Sequence, residues 1–418
     1  MRVEYFIIIF VLSGLLFYAY RLYKFEKIYV DLWLYSQILL VFPYFVLYPF
    51  AGDAENEAAV GNFIFGIRQY LPRVFVCNCI GWSSMWIGKF CFDYSQKKYI
   101  YLSRFDHIVY TVLFNGKSFK LFAMIYLPFF VLVSILAIKY SGDELLLTMK
   151  TGLIMTGVNI AVCGIPVILS VCIINYIETK NKSALYSLIF FFIITLFMGR
   201  RSIIFGPLVS VLLMYFIYKG RKLKISRVVI LLFIVLNSLF FMDDFRHGRN
   251  ASTESLFDKV AYGNTFSDAR DFAWILSGGH DDFLYGKTYL AGLLSLIPSS
   301  LSDFRTEWAW GRISLRLANF NIEGPTIHGG LRGGLFCEPY FNFGYIGIIF
   351  FAFIYGYISE WINVQHKYYC KRKMFSKAYA CGFKNVFISI FMISSGAWKL
   401  YGLILPILII YQIKFKGR

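Results

Sequence analysis

Chemistry in this 418-residue chain would fall to a small set of arginines, histidines and acids standing among long apolar runs. Arg200 and Arg201, in Gly199-Arg200-Arg201-Ser202, join two hydrophobic segments. Arg246 and Arg249 follow Asp243-Asp244 directly after another such segment, spaced to share a helical face. Arg332 is enclosed by Gly329, Gly330, Gly333 and Gly334. An arginine fork donates two aligned bonds to phosphate oxygens, and glycine-freed amides before a helix start make an anion cradle. Each pair also has a structural alternative: Arg200 and Arg201 as anchors on lipid phosphates, Arg246 and Arg249 as local partners of Asp243 and Asp244. For proton transfer the candidates are His328 beside the glycines, His280 in Gly-Gly-His-Asp-Asp, and Glu338. His247 is less well placed. Glu338 precedes Pro339, which suits the first turn of a helix, so a capping carboxylate is the alternative for it.

The missing patterns narrow this chemistry. No His-Glu-x-x-His, no Cys-x-x-Cys and no Asp-x-Asp pair occurs, and Gly286-Lys287-Thr288 lacks the glycine that a phosphate loop needs five residues earlier, where Asp281 stands. Neither a metal nor a cofactor is expected. The eight cysteines, mostly in or near apolar runs, imply no disulfide framework.

The elements that must position these residues are membrane helices. Hydrophobic residues make up 58% of the chain and charged ones only 16%, with a mean hydropathy of +0.60. That leaves too little polar surface for a water-soluble particle. About 11 runs (10 to 12) are long enough to cross a bilayer, centred in 5–20, 28–50, 74–92, 119–138, 153–177, 184–198, 203–218, 228–242, 339–358, 379–395 and 400–413. The expectation is an all-α polytopic membrane protein. The net charge of +18 reads as topology and not as a nucleic-acid surface, because 23 cations fall in one set of alternate connections. This places the N-terminus outside and the C-terminus inside. The few charges within spans, Asp31, Lys89, Glu360 and Lys384, lie mostly near ends where they could snorkel to the interface.

Three regions follow: an N-terminal bundle over 1–242, an outer loop over 243–338 between the eighth and ninth spans, and C-terminal spans over 339–418. The loop carries 12 acids and nine cations. Within it Ser267 is expected to cap a helix starting at Asp268 that Gly278-Gly279 stops. Leu290, Leu293, Leu294 and Ile297 form one stripe on a segment too short to span, lying at the interface or packing on the bundle. Arg312 and Arg316 share a face. The aromatics Tyr340, Phe341, Phe343 and Tyr345 are expected in an interfacial belt.

Several of these motifs carry a resemblance. Gly199-Arg200-Arg201, Gly286-Lys287-Thr288-Tyr289 before an apolar segment and Pro298, and the glycine-rich stretch into Glu338-Pro-Tyr-Phe-Asn-Phe-Gly-Tyr-Ile-Gly347 resemble the O-antigen repeat-unit polymerases of Wzy type. The likeness covers roughly residues 199 to 358. It implies a GT-C-like enzyme of the bacterial inner membrane, joining undecaprenyl-pyrophosphate-linked oligosaccharides on the periplasmic face. It also implies a chain-length-regulating co-polymerase as partner and a flippase upstream. In that setting Arg200, Arg201, Arg246, Arg249 and Arg332 would hold pyrophosphate, and His328, His280 or Glu338 would take the proton of the attacking hydroxyl. The rival readings are an O-antigen ligase, with the same donor chemistry, and a lipid-oligosaccharide flippase, which needs a polar path across the membrane.

Overall fold

The structure, a computed structural model, describes residues 3–26, 31–51, 67–95, 104–113, isolated positions between 121 and 189, 260–261, 266–280, 282–297, 301–319, 330–398 and 404–413. All regular elements among the described residues are helical. In chain order they are α1 (Val3–Arg21), α2 (Leu32–Val41), α3 (Leu71–Ser95), α4 (Arg104–Leu113), α5 (Asp268–Ser277), α6 (Lys287–Leu293), α7 (Asp303–Trp308), α8 (Trp310–Leu317), α9 (Gly334–Lys371), α10 (Phe375–Ile393) and α11 (Ile404–Tyr411). Three stretches, Val3–Lys24, Leu32–Phe50 and Gly334–Lys371, are long and apolar enough to cross a membrane. The first is apolar on all sides and turns Phe6, Phe10, Leu16 and Phe17 outward, as a helix bathed in lipid does.

α2, α3, α9 and α10 form the centre. Asp31 caps α2, its carboxylate accepting from the Leu34 N–H at 2.7 Å. α2 then widens into a π turn over Phe42–Val46, where Pro43 withholds an amide, and ends in a 3-10 turn at Tyr48–Phe50. Ring contacts set its direction. Trp33 meets Trp86 at 5.4 Å and Phe45 meets Phe75 at 5.8 Å, so α2 and α3 are antiparallel. α3 runs parallel to α9, with Arg73 over Tyr340 at one end and Lys89 beside Glu360 at the other. The two approach closely because small residues face each other. A side chain on Gly88 would strike the Phe353 carbonyl, and one on Gly356 the Met85 carbonyl. α10 returns antiparallel to α9, joined by Tyr355 to Ser389 at 2.7 Å and Ser359 to Asn385 at 3.1 Å.

Of the charges expected to snorkel, Asp31, Lys89 and Glu360 are instead buried in one network at the end of the bundle where α9 finishes. Lys367 pairs with Asp31 at 2.7 Å, and Lys89 pairs with Asp93 at 2.7 Å and Glu360 at 3.3 Å. Asn363 bridges the two groups, donating to Asp31 and Glu360 at 3.1 Å each and accepting from the Leu32 N–H at 2.9 Å. Lys384 donates to Gln365 at 2.9 Å. The reason is geometric: α2, α3 and α9 converge there and bring partners within bonding distance across the seam.

α9 departs from expectation at its start. It begins at Gly334, so Glu338 and Pro339 lie inside it and the expected boundary at 338/339 falls within one helix. The break comes later, at Phe343 and Gly344. Gly344 has φ +65° and ψ −151°, a conformation that side chains on L-residues resist, which divides a short leading arm, 334–342, from the long apolar span. Tyr340 and Phe341, expected in an aromatic belt, are buried on Phe272 of α5 at 5.8 and 6.3 Å. Phe343 and Tyr345 are exposed.

Candidate functional site

At the opposite end of the bundle, where α9 begins, α5 lays its N-terminus against the glycine-rich strand. α5 starts and stops as its sequence expects, with Ser267 before it, Gly278 after it and Gly279 at φ +71°. Ser267 does not cap the helix as expected, because its hydroxyl accepts from none of the first-turn amides. It donates to Asp271 Oδ2 at 2.9 Å. Asp271 also accepts from the Arg332 N–H at 3.3 Å and pairs with the Arg270 guanidinium at 3.4 Å. Both Arg270 and Asp271 are buried.

Asp268, one turn before Asp271 on the same face, stands beside this group. Burial pushes its carboxyl up from 3.8 to about 6, the Arg332 guanidinium opposes the shift, and the neighbouring Asp271 carboxylate adds to it. A side chain on Gly334 would meet both the Tyr44 hydroxyl and Asp268, so those two groups flank that glycine. Tyr44 donates to the Gly333 carbonyl at 3.3 Å, and the Leu335 and Phe336 amides at the head of α9 lie within reach of its oxygen. The result is a carboxyl poised near neutral pH, next to a second carboxylate, a tyrosine hydroxyl and two arginines. Such a group can accept a proton from a hydroxyl or return one.

The glycine stretch is thus placed differently from its expected use. Its amides already have oxygen partners in the chain itself: Asp271 takes the Arg332 N–H, and Tyr44 faces the first amides of α9. Arg332 remains at the site through its guanidinium beside Asp268. Of the expected bases, Glu338 is 1% exposed and joins three elements. It accepts from the Ser395 N–H at 2.8 Å, from the Ser395 hydroxyl, and from Thr288 of α6. This is the geometry of a joint, because its oxygens are occupied by fixed donors. His280 is exposed beyond the far end of α5, facing Asn319 Oδ1 at 3.3 Å. The ten residues of α5 hold it about 15 Å from the acid pair. His328, Arg200, Arg201, Arg246 and Arg249 lie outside the described residues.

Sequence reasoning read Asp268 and Asp271 as first-turn acids suited to the helix dipole, and passed over Tyr44. A usable signal was present. Asp-Ala-Arg-Asp-Phe-Ala-Trp-Ile-Leu has no polar face beyond its first turn, and such a helix must bury its acids along with its apolar residues. Among the described residues no group of three or more His, Cys, Asp or Glu side chains could hold a metal ion.

No family model, curated protein or solved structure matches this chain.

Proposed function

We propose that the chain is a polytopic membrane glycosyltransferase that joins undecaprenyl-pyrophosphate-linked oligosaccharide units at the outer face of the bacterial inner membrane, in the manner of the O-antigen polymerases it resembles. The observation that carries this reading is the acid pair Asp268 and Asp271 with Arg332 and Arg270, on the long loop, at the end of the bundle where α9 starts. Nucleotide donors are not expected outside the cell, so an enzyme there takes a substrate already activated, and a sugar pyrophosphate lipid is one. The direction of the helices is compatible. With α3 and α9 parallel, an odd number of crossings must separate them, and the five spans expected between 119 and 242 meet that condition. About 11 spans in all and a GT-C-like arrangement belong to the same proposal.

In this mechanism Asp268, ionised, takes the proton of the terminal sugar hydroxyl of the incoming unit. The freed oxygen attacks the anomeric carbon of the growing chain, and the bond from that carbon to the pyrophosphate oxygen breaks with its electron pair. Arg332, with Arg200, Arg201, Arg246 and Arg249, neutralises charge as it grows on the leaving pyrophosphate. Product length would be set by a chain-length-regulating co-polymerase.

Cells that make a surface polysaccharide supply the test. Deletion of this gene should leave a single repeat unit on the lipid A core. Long chains left unattached would identify a ligase, and units stranded in the cytoplasm a flippase.

A further inference from the structure

We propose that Phe283–Ile297, together with the side chain of Leu301, is inserted into the lipid leaflet at the end of the bundle where α9 begins, as a short membrane-embedded arm and not as part of a water-exposed loop. This goes beyond the glycosyltransferase reading and does not depend on it.

One face of the segment is fixed to the protein. The Leu284 and Tyr285 amides donate to the Phe341 and Asn342 carbonyls at 2.9 and 3.2 Å, and the Gly286 amide donates to Asn342 Oδ1 at 2.9 Å. Asn342 Nδ2 in turn donates to the Thr288 hydroxyl at 2.8 Å. Tyr289 stacks on Phe351 at 4.8 Å and on Trp398 at 5.5 Å, and Gly292 packs on Ser395. α6 is therefore seated on the bend of α9, with Phe283 against Gly344 and Phe343 against Gly286.

The other face is exposed. Tyr285 is 74% exposed, Leu293 57% and Leu301 76%, with Phe283, Leu290 and Ile297 exposed beside them. In water, six large apolar side chains within 19 residues of a loop would be a costly and aggregation-prone patch. Here they are continuous with the outward face of the α9 span. Ile346 is 77% exposed, and Ile349 and Phe350 follow it along a helix long and apolar enough to cross a membrane. Phe283 and Phe343 sit at the bend itself, so the exposed apolar side chains of the arm meet those of the span there, and the same acyl chains cover both. Polar groups mark where the arm leaves the lipid. Lys287 lies over the Trp308 ring at 4.1 Å, the Arg305 guanidinium donates to the Ile297 carbonyl, and Asp303 and Glu307 of α7 are exposed. A basic and indole-rich rim over an apolar face is the chemistry of a membrane interface.

The test is nitroxide accessibility in the full-length protein, reconstituted in phosphatidylethanolamine and phosphatidylglycerol vesicles. Native cysteines are first replaced by serine in a variant shown to assemble like its parent. Labels at Leu290, Leu293, Ile297 and Leu301 should collide with oxygen in preference to a water-soluble nickel chelate, matching a label at Ile346 and several-fold above one at Glu307. Two results would overturn the proposal. Chelate access at Leu293 equal to that at Glu307 would put the arm in water, and protection from both agents would mean that a second copy or another protein covers it.

Discussion

The two ends of the central bundle hold buried charge in different settings. Where α9 finishes, Asp31, Lys89, Glu360 and Lys367 are matched cation to anion, and Asn363 fills the remaining bonds. Where α9 begins, Asp268 and Asp271 bring two carboxyls together, and one of them is held near pH 6. Matched charges fix helices in register. An acid raised toward neutrality is less useful for holding a fold and more useful for moving a proton. The difference is one of place: the first group ties α2, α3 and α9 together, whereas the second joins the loop helix α5 to the head of α9, where the proposed chemistry would fall.

Breaking the matched end should produce the largest effect. Lys89→Ala leaves Glu360 buried without its cation, which costs about 3–5 kcal/mol when one partner of a buried pair is removed. Detergent-solubilised variant should aggregate or melt well below the parent in a thermal unfolding assay. The double change Lys89→Met with Glu360→Leu should recover much of the loss. If the single variant melts like the parent, the pairing does not hold the bundle.

The acid end should respond to pH in a set direction. The folded pKa of Asp268 lies above its ordinary 3.8, so the folded state binds that proton more tightly than the unfolded state does. Its stabilising contribution, at most about 3 kcal/mol from the size of the shift, is complete below about pH 4 and is lost as pH rises through about 6. Asp268→Asn should flatten the stability profile across that window, measured by melting temperature from pH 4 to 8. A profile of unchanged slope would remove the raised carboxyl from the account.

Between the ends, Gly88→Ala inserts a methyl group against the Phe353 backbone, and overpacking of this kind costs about 1–3 kcal/mol. Disulfide trapping between cysteines placed on α3 and α9 should slow accordingly. The smallest effect is expected at His280, exposed and remote from the acids. His280→Ala should change stability by less than about 0.5 kcal/mol and leave most activity in place. A large loss of activity there would move the chemistry to the far end of α5.

Much of the fold was legible where local sequence decides it. The apolar run of α1, the start of α5 at Asp268 and its stop at Gly278-Gly279 follow from composition and the glycine pair, although the cap expected from Ser267 is not made. The start of α9 at Gly334 was not, because proline at 339 imitates a first helical turn, while the break inside the helix falls at Gly344, packed on Phe283. The matched charges were invisible for another reason. Asp31 and Asn363 are 332 residues apart, and nothing in either neighbourhood announces the other. Asp268 was visible as a residue but not as a site, since its shifted carboxyl arises from burial that only tertiary packing supplies.

The central claim, that Asp268 moves the proton of a glycosyl transfer, is tested most directly by one assay. Purified protein in vesicles is given undecaprenyl-pyrophosphate-linked repeat units, and polymer formation is followed against pH for the parent and Asp268→Asn. The parent should gain activity as pH rises through about 6, when the carboxyl ionises. The variant should lose about 10²–10⁴-fold at neutral pH while still folding, since a neutral side chain suits that buried position. A variant that polymerises at the parent rate, with the same pH profile, would contradict the account.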